Sequence, residues 1–101
     1  KENQIKLPFI PDYCQQSYHM FYLLMPSHES RTKFITKMKN NGIHALFHYL
    51  PLHLSPMGKK LSKKNETCPN TEEISNRIVR LPFFTDLNIN EINFDIFYNS
   101  Y

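Results

Sequence analysis

Tryptophan is absent from the 101 residues, and glycine and cysteine occur only twice each. So little glycine argues against a many-turned β-barrel or sandwich. Cys14 and Cys68 lie far apart, in no CxxC pair and at no metal-ligand spacing. They read as two reduced thiols of a cytoplasmic protein, and nothing requires a bridge between them. No apolar run approaches the ~18–20 residues that span a bilayer. The longest, residues 20–25, is strand-sized, and no apolar segment follows Lys1 as a secretory leader requires. No membrane partner is therefore expected. The sequence opens without Met, which is read as a piece of a longer protein.

What is present is apolar and aromatic. Hydrophobic residues make up 41% and aromatics 14%, with eight Phe and six Tyr, enough for the core of a single domain. A domain of this size buries a modest fraction of its surface, so reliance on a partner is expected. The net charge of +3 is mild. Lys59, Lys60, Lys63 and Lys64 form its one concentration. A stand-alone module could use residues 59–64 on nucleic acid. No aromatic platform for stacking bases is interleaved with these lysines. A solvated loop is the plainer reading, and no nucleic acid is expected.

Patterning predicts an α/β (α+β) domain. Residues 1–16 carry Leu7-Pro8-Phe9-Ile10-Pro11-Asp12, an extended lead-in, because residues before proline avoid the helical region. Residues 17–25 are unbroken and aromatic-rich, which favours a strand ending at Pro26, although a short buried helix fits the periodicity almost as well. A helix is predicted over 29–41, with Phe34, Ile35 and Met38 on one stripe and Gly42 as a left-handed stop. Residues 43–50 follow as a second strand of the same sheet, adjacent to the first or separated from it by another strand. Residues 55–67 read as a loop. Asn70 and Glu73 have the spacing of a capping box, opening a helix over 71–79 with Ile74 and Ile78 on one face. Asn88 and Glu91 repeat that spacing before a last helix over 89–99. The expected architecture is a short sheet covered by about three helices.

Motifs for chemistry are few. No nucleophile elbow, P-loop or Rossmann glycine pattern occurs. His44 and His48 have the spacing of a helical zinc site, but on a strand they stand about 13 Å apart, so no metal is expected. The dense segment is His48-Tyr49-Leu50-Pro51-Leu52-His53. Two imidazoles and a phenol at a strand end held by proline can wall a polar ligand such as a sugar or phosphate. The same groups could simply satisfy neighbouring backbone, and the residues alone leave both readings open.

The run Phe47-His48-Tyr49-Leu50-Pro51-Leu52-His53-Leu54-Ser55-Pro56-Met57-Gly58 resembles the C-terminal domain of the DegT/DnrJ/StrS sugar aminotransferases. Leu7-Pro8, Pro11-Asp12 and His19-Met20-Phe21-Tyr22 resemble the entry and first strand of that domain. Phe34-Ile35, Gly42-Ile43, Arg80-Leu81-Pro82-Phe83-Phe84 and Leu87-Asn88 extend the likeness over nearly the whole chain. The resemblance implies the small domain of a fold-type-I, pyridoxal-phosphate-dependent transferase. Residues 1–16 would lead in from an N-terminal large domain holding the cofactor and its Schiff-base lysine, and residues 17–101 would form the C-terminal small domain. It implies glutamate and a dTDP-linked 4-keto-6-deoxy sugar nucleotide as substrates, and a homodimer at full length. His48, Tyr49 and His53 match the family's His-Tyr-x-Pro-x-His run, implied to lie on the sugar-nucleotide side of the active site. No lysine here matches the Schiff-base motif, so no catalytic residue is expected in this chain and it is expected to be inactive alone.

Overall fold

The computed structural model describes residues 4–62, 67–93 and 95. Three strands form one sheet: β1 (Phe21–Leu24), β2 (Leu46–Phe47) and β3 (Ile78–Leu81). β3 lies in the middle and is antiparallel to both neighbours, which makes β1 and β2 parallel across it. The helices are α1 (His28–Asn40), α2 (Pro56–Leu61) and α3 (Pro69–Arg77). The α+β class is as expected.

Local signals set α1. The Ser27 hydroxyl accepts the N–H of Ser30 at the N-cap. At the other end Gly42 adopts φ +75°. Its N–H reaches Lys39 O, while Ile43 N–H reaches Met38 O, the paired bonds of a Schellman ending. Ile43 then packs on the core, as the apolar residue after such a cap commonly does.

Phe34 and Met38 of α1 meet Leu23, Met25, Ala45 and Val79 in one small core. Strand alternation explains the sheet side of it. Leu23 and Val79 are cross-strand partners, and both are buried. Arg80 and its partner Leu46 face the other way. The end of α3 is stapled to β1, since Arg77 Nε donates to Met25 O at 2.6 Å and Met25 N–H donates to Arg77 O. Arg77 also pairs with Glu73.

Several expectations are corrected. The strand over 17–25 shortens to Phe21–Leu24, because Tyr18 sits at φ +50° and Ser17 Oγ bonds His19 Nδ1, a turn rather than an extended run. The strand over 43–50 shortens to Leu46–Phe47: Ile43 is spent closing α1, and β3 runs directly out of α3 at Ile78, one residue beyond the partner of Phe47. The helix over 71–79 is instead α3 followed by a strand, with the break after Arg77. The expected loop over 55–67 contains α2, capped by Ser55, whose hydroxyl accepts Gly58 N–H, with Pro56 in the first turn. Asn70 and Glu73 do not form the cap of α3. Cys68 is the N-cap, and Glu72 reaches back to its N–H at 3.1 Å. Where the last helix was expected, Ile89–Glu91 form a 3-10 turn, with the Asn88 side chain accepting Asn90 N–H. Residues 94 and 96–101 lie outside the described residues.

The lead-in touches the sheet at the edge of β1. Lys6 and Leu24 exchange two 2.9 Å backbone bonds at the free edge of β1, and Ile5 packs against the core. Beyond it Leu7, Phe9, Ile10 and Tyr13 are exposed. The radius of gyration is 15.9 Å, against about 13 Å for a compact domain of this length. No helix among the described residues is long and apolar enough to cross a membrane.

Candidate functional site

The polypeptide leaves β2 at Phe47 and enters a 3-10 turn at Leu52–Leu54, with the buried Pro51 fixing the bend. His48 and Tyr49 therefore stand just beyond a strand end. Together with Leu50 and Pro51 they form one wall of a cleft of about 390 Å³. Asn70, Thr71, Ile74 and Ser75 of α3 line the other wall. Small-ligand sites start at about 300 Å³ and combine apolar walls with a few polar groups.

The two ring systems are differently placed. Tyr49 is 71% exposed, with its ring 4.9 Å from that of His48. His48 is half-buried, and its Nδ1 is buried with no hydrogen-bond partner among the described residues. An unmet buried polar atom costs free energy unless something completes it. The Arg80 guanidinium lies over the Tyr49 ring, 5.2 Å from its centroid, a cation–π contact that holds both side chains.

His53 points elsewhere. Its Nε2 meets Glu72 Oε1 at 2.9 Å, tying the 3-10 turn to α3, and it does not line the cleft. The structure thus brings His48 and Tyr49 together and separates them from His53. The bond from His53 and, second, the Cys68 N–H hold the Glu72 carboxyl below its ordinary value of 4.5. A depressed carboxylate stabilises the fold above the unfolded value, and that contribution disappears as pH falls through the lower folded value. His53→Ala is therefore expected to move the Glu72 titration upward, leaving it below 4.5 by the Cys68 bond alone. Side-chain carboxyl NMR across pH 2–6 (roughly the window in which carboxylates titrate) measures this, and an unmoved Glu72 curve would contradict it.

Arg80 escaped the sequence reading as a site residue. Nothing local places it against Tyr49, since their proximity depends on β3 lying beside β2. Lys59 and Lys60 stand on α2 and do not line this cleft, while Lys63 and Lys64 lie outside the described residues. Among the described residues no three His, Cys, Asp or Glu side chains gather as metal ligands. Cys14 and Cys68 are both free thiols.

Comparison with known proteins gives the family and the fold. The family model of the DegT/DnrJ/EryC1/StrS aminotransferases matches residues 1–94. The chain belongs to the DegT/DnrJ/EryC1/StrS aminotransferase family. An uncharacterized protein of Methanocaldococcus jannaschii is 29% identical over 89 residues, covering 84% of this chain and 23% of that protein. A pleiotropic regulatory protein of Geobacillus stearothermophilus is 31% identical over 78 residues, covering 76% of this chain and 21% of that one. The aminotransferase TlmJ from Streptoalloteichus hindustanus has the same fold over 86% of this chain and 23% of its own, with a TM-score of 0.73 at 20% identity. The chain thus spans under a quarter of the length of the relatives it matches.

Within this family member, the run over 47–58 divides into two parts. His48 and Tyr49 face the cleft, whereas Ser55, Pro56 and Gly58 build the turn into α2. The lining of this cleft includes no lysine. It offers no amine for condensation with a pyridoxal aldehyde, so these residues do not fit covalent attachment of that cofactor.

Proposed function

We propose that this chain is the C-terminal small domain of a pyridoxal-phosphate-dependent aminotransferase. The enzyme moves an amino group from glutamate to a dTDP-linked 4-keto-6-deoxy sugar nucleotide. That is the reaction of a dTDP-4-amino-4,6-dideoxygalactose transaminase, which serves bacterial lipopolysaccharide or surface-polysaccharide synthesis. Residues 1–16 lead in from the N-terminal large domain, which carries the cofactor and its lysine. The full-length enzyme is a cytoplasmic homodimer.

The observation that carries this reading is the meeting of His48 and Tyr49 at one cleft in a chain of this family. Pyridoxal phosphate, when bound by the large domain, supplies the electron sink. The present residues bind and orient. The half-buried imidazole of His48 and the phenol of Tyr49 offer hydrogen bonds to sugar hydroxyls, and the apolar walls from Leu50, Pro51 and Ile74 exclude water on one side. The surface left apolar along Leu7, Phe9 and Ile10 suits contact with the rest of the protein.

Two measurements test the reading. The 101-residue chain incubated with pyridoxal phosphate, glutamate and a 4-keto sugar nucleotide is expected to form no amino sugar. Turnover that is lost on mutating one of its own lysines would refute the assignment. In the full-length enzyme, His48→Ala and Tyr49→Phe are expected to lower kcat/KM by about two- to tenfold. A hydrogen bond to a neutral partner is worth about 0.5–1.5 kcal/mol, and each 1.4 kcal/mol is about a factor of ten. Lys60→Ala, on an exposed turn of α2, should stay within about twofold. The reverse ranking would move substrate recognition to the basic segment.

A further inference from the structure

The two walls of the His48–Tyr49 cleft are joined at both ends. At one end the sheet joins them: Phe47, just before the first wall, pairs with Val79, and β3 runs straight out of α3. At the other end the tie is a side-chain bond, between His53 Nε2 and Glu72 Oε1 at 2.9 Å. His53 follows Leu52 of the first wall, and Glu72 follows Thr71 of the second. We propose that the His53–Glu72 pair is a strut that sets the separation of the two walls, and thereby positions His48 and Tyr49 for the sugar acceptor.

The walls are not equally anchored. α3 is fastened to the rest of the fold twice: Arg77 Nε donates to Met25 O at 2.6 Å, and the Arg31 guanidinium donates to Ser75 O at 3.0 Å. The segment 48–54 bends at the buried Pro51, whose carbonyl accepts Leu54 N–H. Among the described residues no other hydrogen bond or ion pair joins this segment to α3. Without the strut its polar side would be held by β2 and by the Arg80–Tyr49 contact. Glu72 is suited to the task. The same Oε1 accepts the Cys68 N–H at 3.1 Å, which fixes the carboxylate at the start of α3. An ionised carboxylate only accepts, so the imidazole carries a proton on Nε2. A hydrogen bond to a charged acceptor is roughly twice as strong as a neutral one. Both partners are half-buried, where water screens the interaction less than at an open surface.

Neither His53 nor Glu72 lines the cleft, so both are positioning residues that act through spacing. Binding groups must be held within about 0.5 Å of their working geometry, and a wall tied at one end alone drifts by more than a wall tied at two. The inference deepens the proposed function and rests on it for the identity of the acceptor.

Two measurements test the strut. In the 101-residue chain, the ring resonances of His48 and Tyr49 and the methyl resonances of Ile74 report on the cleft by NMR. His53→Ala and Glu72→Ala are each expected to shift them, and the double variant to add nothing, as two halves of one interaction do. His53→Gln, whose amide N–H can stand in for the Nε2–H, is expected to restore most of the change. If His53→Ala does not fold, His53→Asn removes the same bond, because its amide stops short of the Nε2 position. In the full-length enzyme, each alanine variant is expected to raise KM for the 4-keto sugar nucleotide about fivefold, with kcat and the KM for glutamate within about twofold of the parent. Unmoved cleft resonances, additive effects of the two substitutions, or a His53→Gln variant no better than His53→Ala would overturn the strut. Equal rises in both KM values would reduce the pair to a structural tie and overturn it as well. Coupled shifts in the chain, with a full-length enzyme that aminates no 4-keto sugar nucleotide, would sink the proposed function and leave the strut standing. Normal amination with an unaltered acceptor KM in every variant would do the opposite.

Discussion

Phe34→Ala is expected to lower the stability of the chain by about 3–5 kcal/mol, the usual cost of truncating a fully buried phenylalanine. Phe34 has no exposed surface and sits among Leu23, Met25, Met38, Ala45 and Val79. This cluster joins α1 to the sheet, so the cavity opens at the centre of the one core described. A single core in a domain under about 80 residues rarely supplies more than about 3–5 kcal/mol, and this chain is only a little longer. The variant should therefore be largely unfolded at 25 °C, a standard reference temperature. Phe47→Ala is the control. That ring is 56% exposed, with Arg31 5.9 Å from its centroid. Its removal should cost about 0.5–1 kcal/mol, the value of an exposed cation–π contact. Urea denaturation followed by circular dichroism compares the two. Similar midpoints for both variants would show that the core is not where the stability lies.

Gly58→Ala is expected to be the most damaging change outside the core. A Cβ at this position would lie 1.9 Å from the carbonyl oxygen of Leu52 and 2.8 Å from its carbonyl carbon. Both are backbone atoms, which cannot rotate away as a side chain can. That oxygen is already engaged, accepting from the Ser55 N–H at 3.1 Å and the Ser55 hydroxyl at 2.7 Å. The bend between the 3-10 turn and α2 must open, at a cost of about 1–3 kcal/mol or more. His53 belongs to the same turn, so its bond to Glu72 should loosen and the Glu72 carboxyl should titrate higher than in the parent chain. Met57→Ala, at the exposed neighbouring position, should change stability by no more than about 0.5 kcal/mol. Thermal melts and a carboxyl NMR titration decide the matter. Equal melting temperatures for the two variants, with Glu72 unmoved, would show that the close approach carries no weight.

Much of the first half was legible because its determinants are local. The Ser27 cap, the Phe34 and Met38 stripe and the positive φ of Gly42 lie within one stretch, and α1 falls within a residue of its expected bounds. Part of the strand expected over 17–25, namely Phe21–Leu24, and the polar segment at His48 and Tyr49 were also readable from the run of side chains. The resemblance over 47–58 announced the family, which the match over residues 1–94 then established.

The second half was misread where local and non-local forces disagree. Ile74 and Ile78 stand four apart, as on a helix, yet Ile74 is 45% exposed while Ile78 and Val79 are buried in β3. Helix and strand compete at that point, and pairing on both sides with β1 and β2 tips the balance toward strand. That pairing joins residues more than thirty apart, beyond the reach of any periodicity. The same register laid Arg80 over Tyr49, and the bend at Pro51 sent His53 to Glu72 instead of into the cleft. By itself, then, the sequence determined the helix α1, the presence of a sheet, the family and the polar strand end, because short-range sterics, capping and hydrophobic spacing suffice for these. Only the tertiary structure decided which polar side chains share a surface, because that depends on which backbone hydrogen bonds the central strand makes with segments distant along the chain.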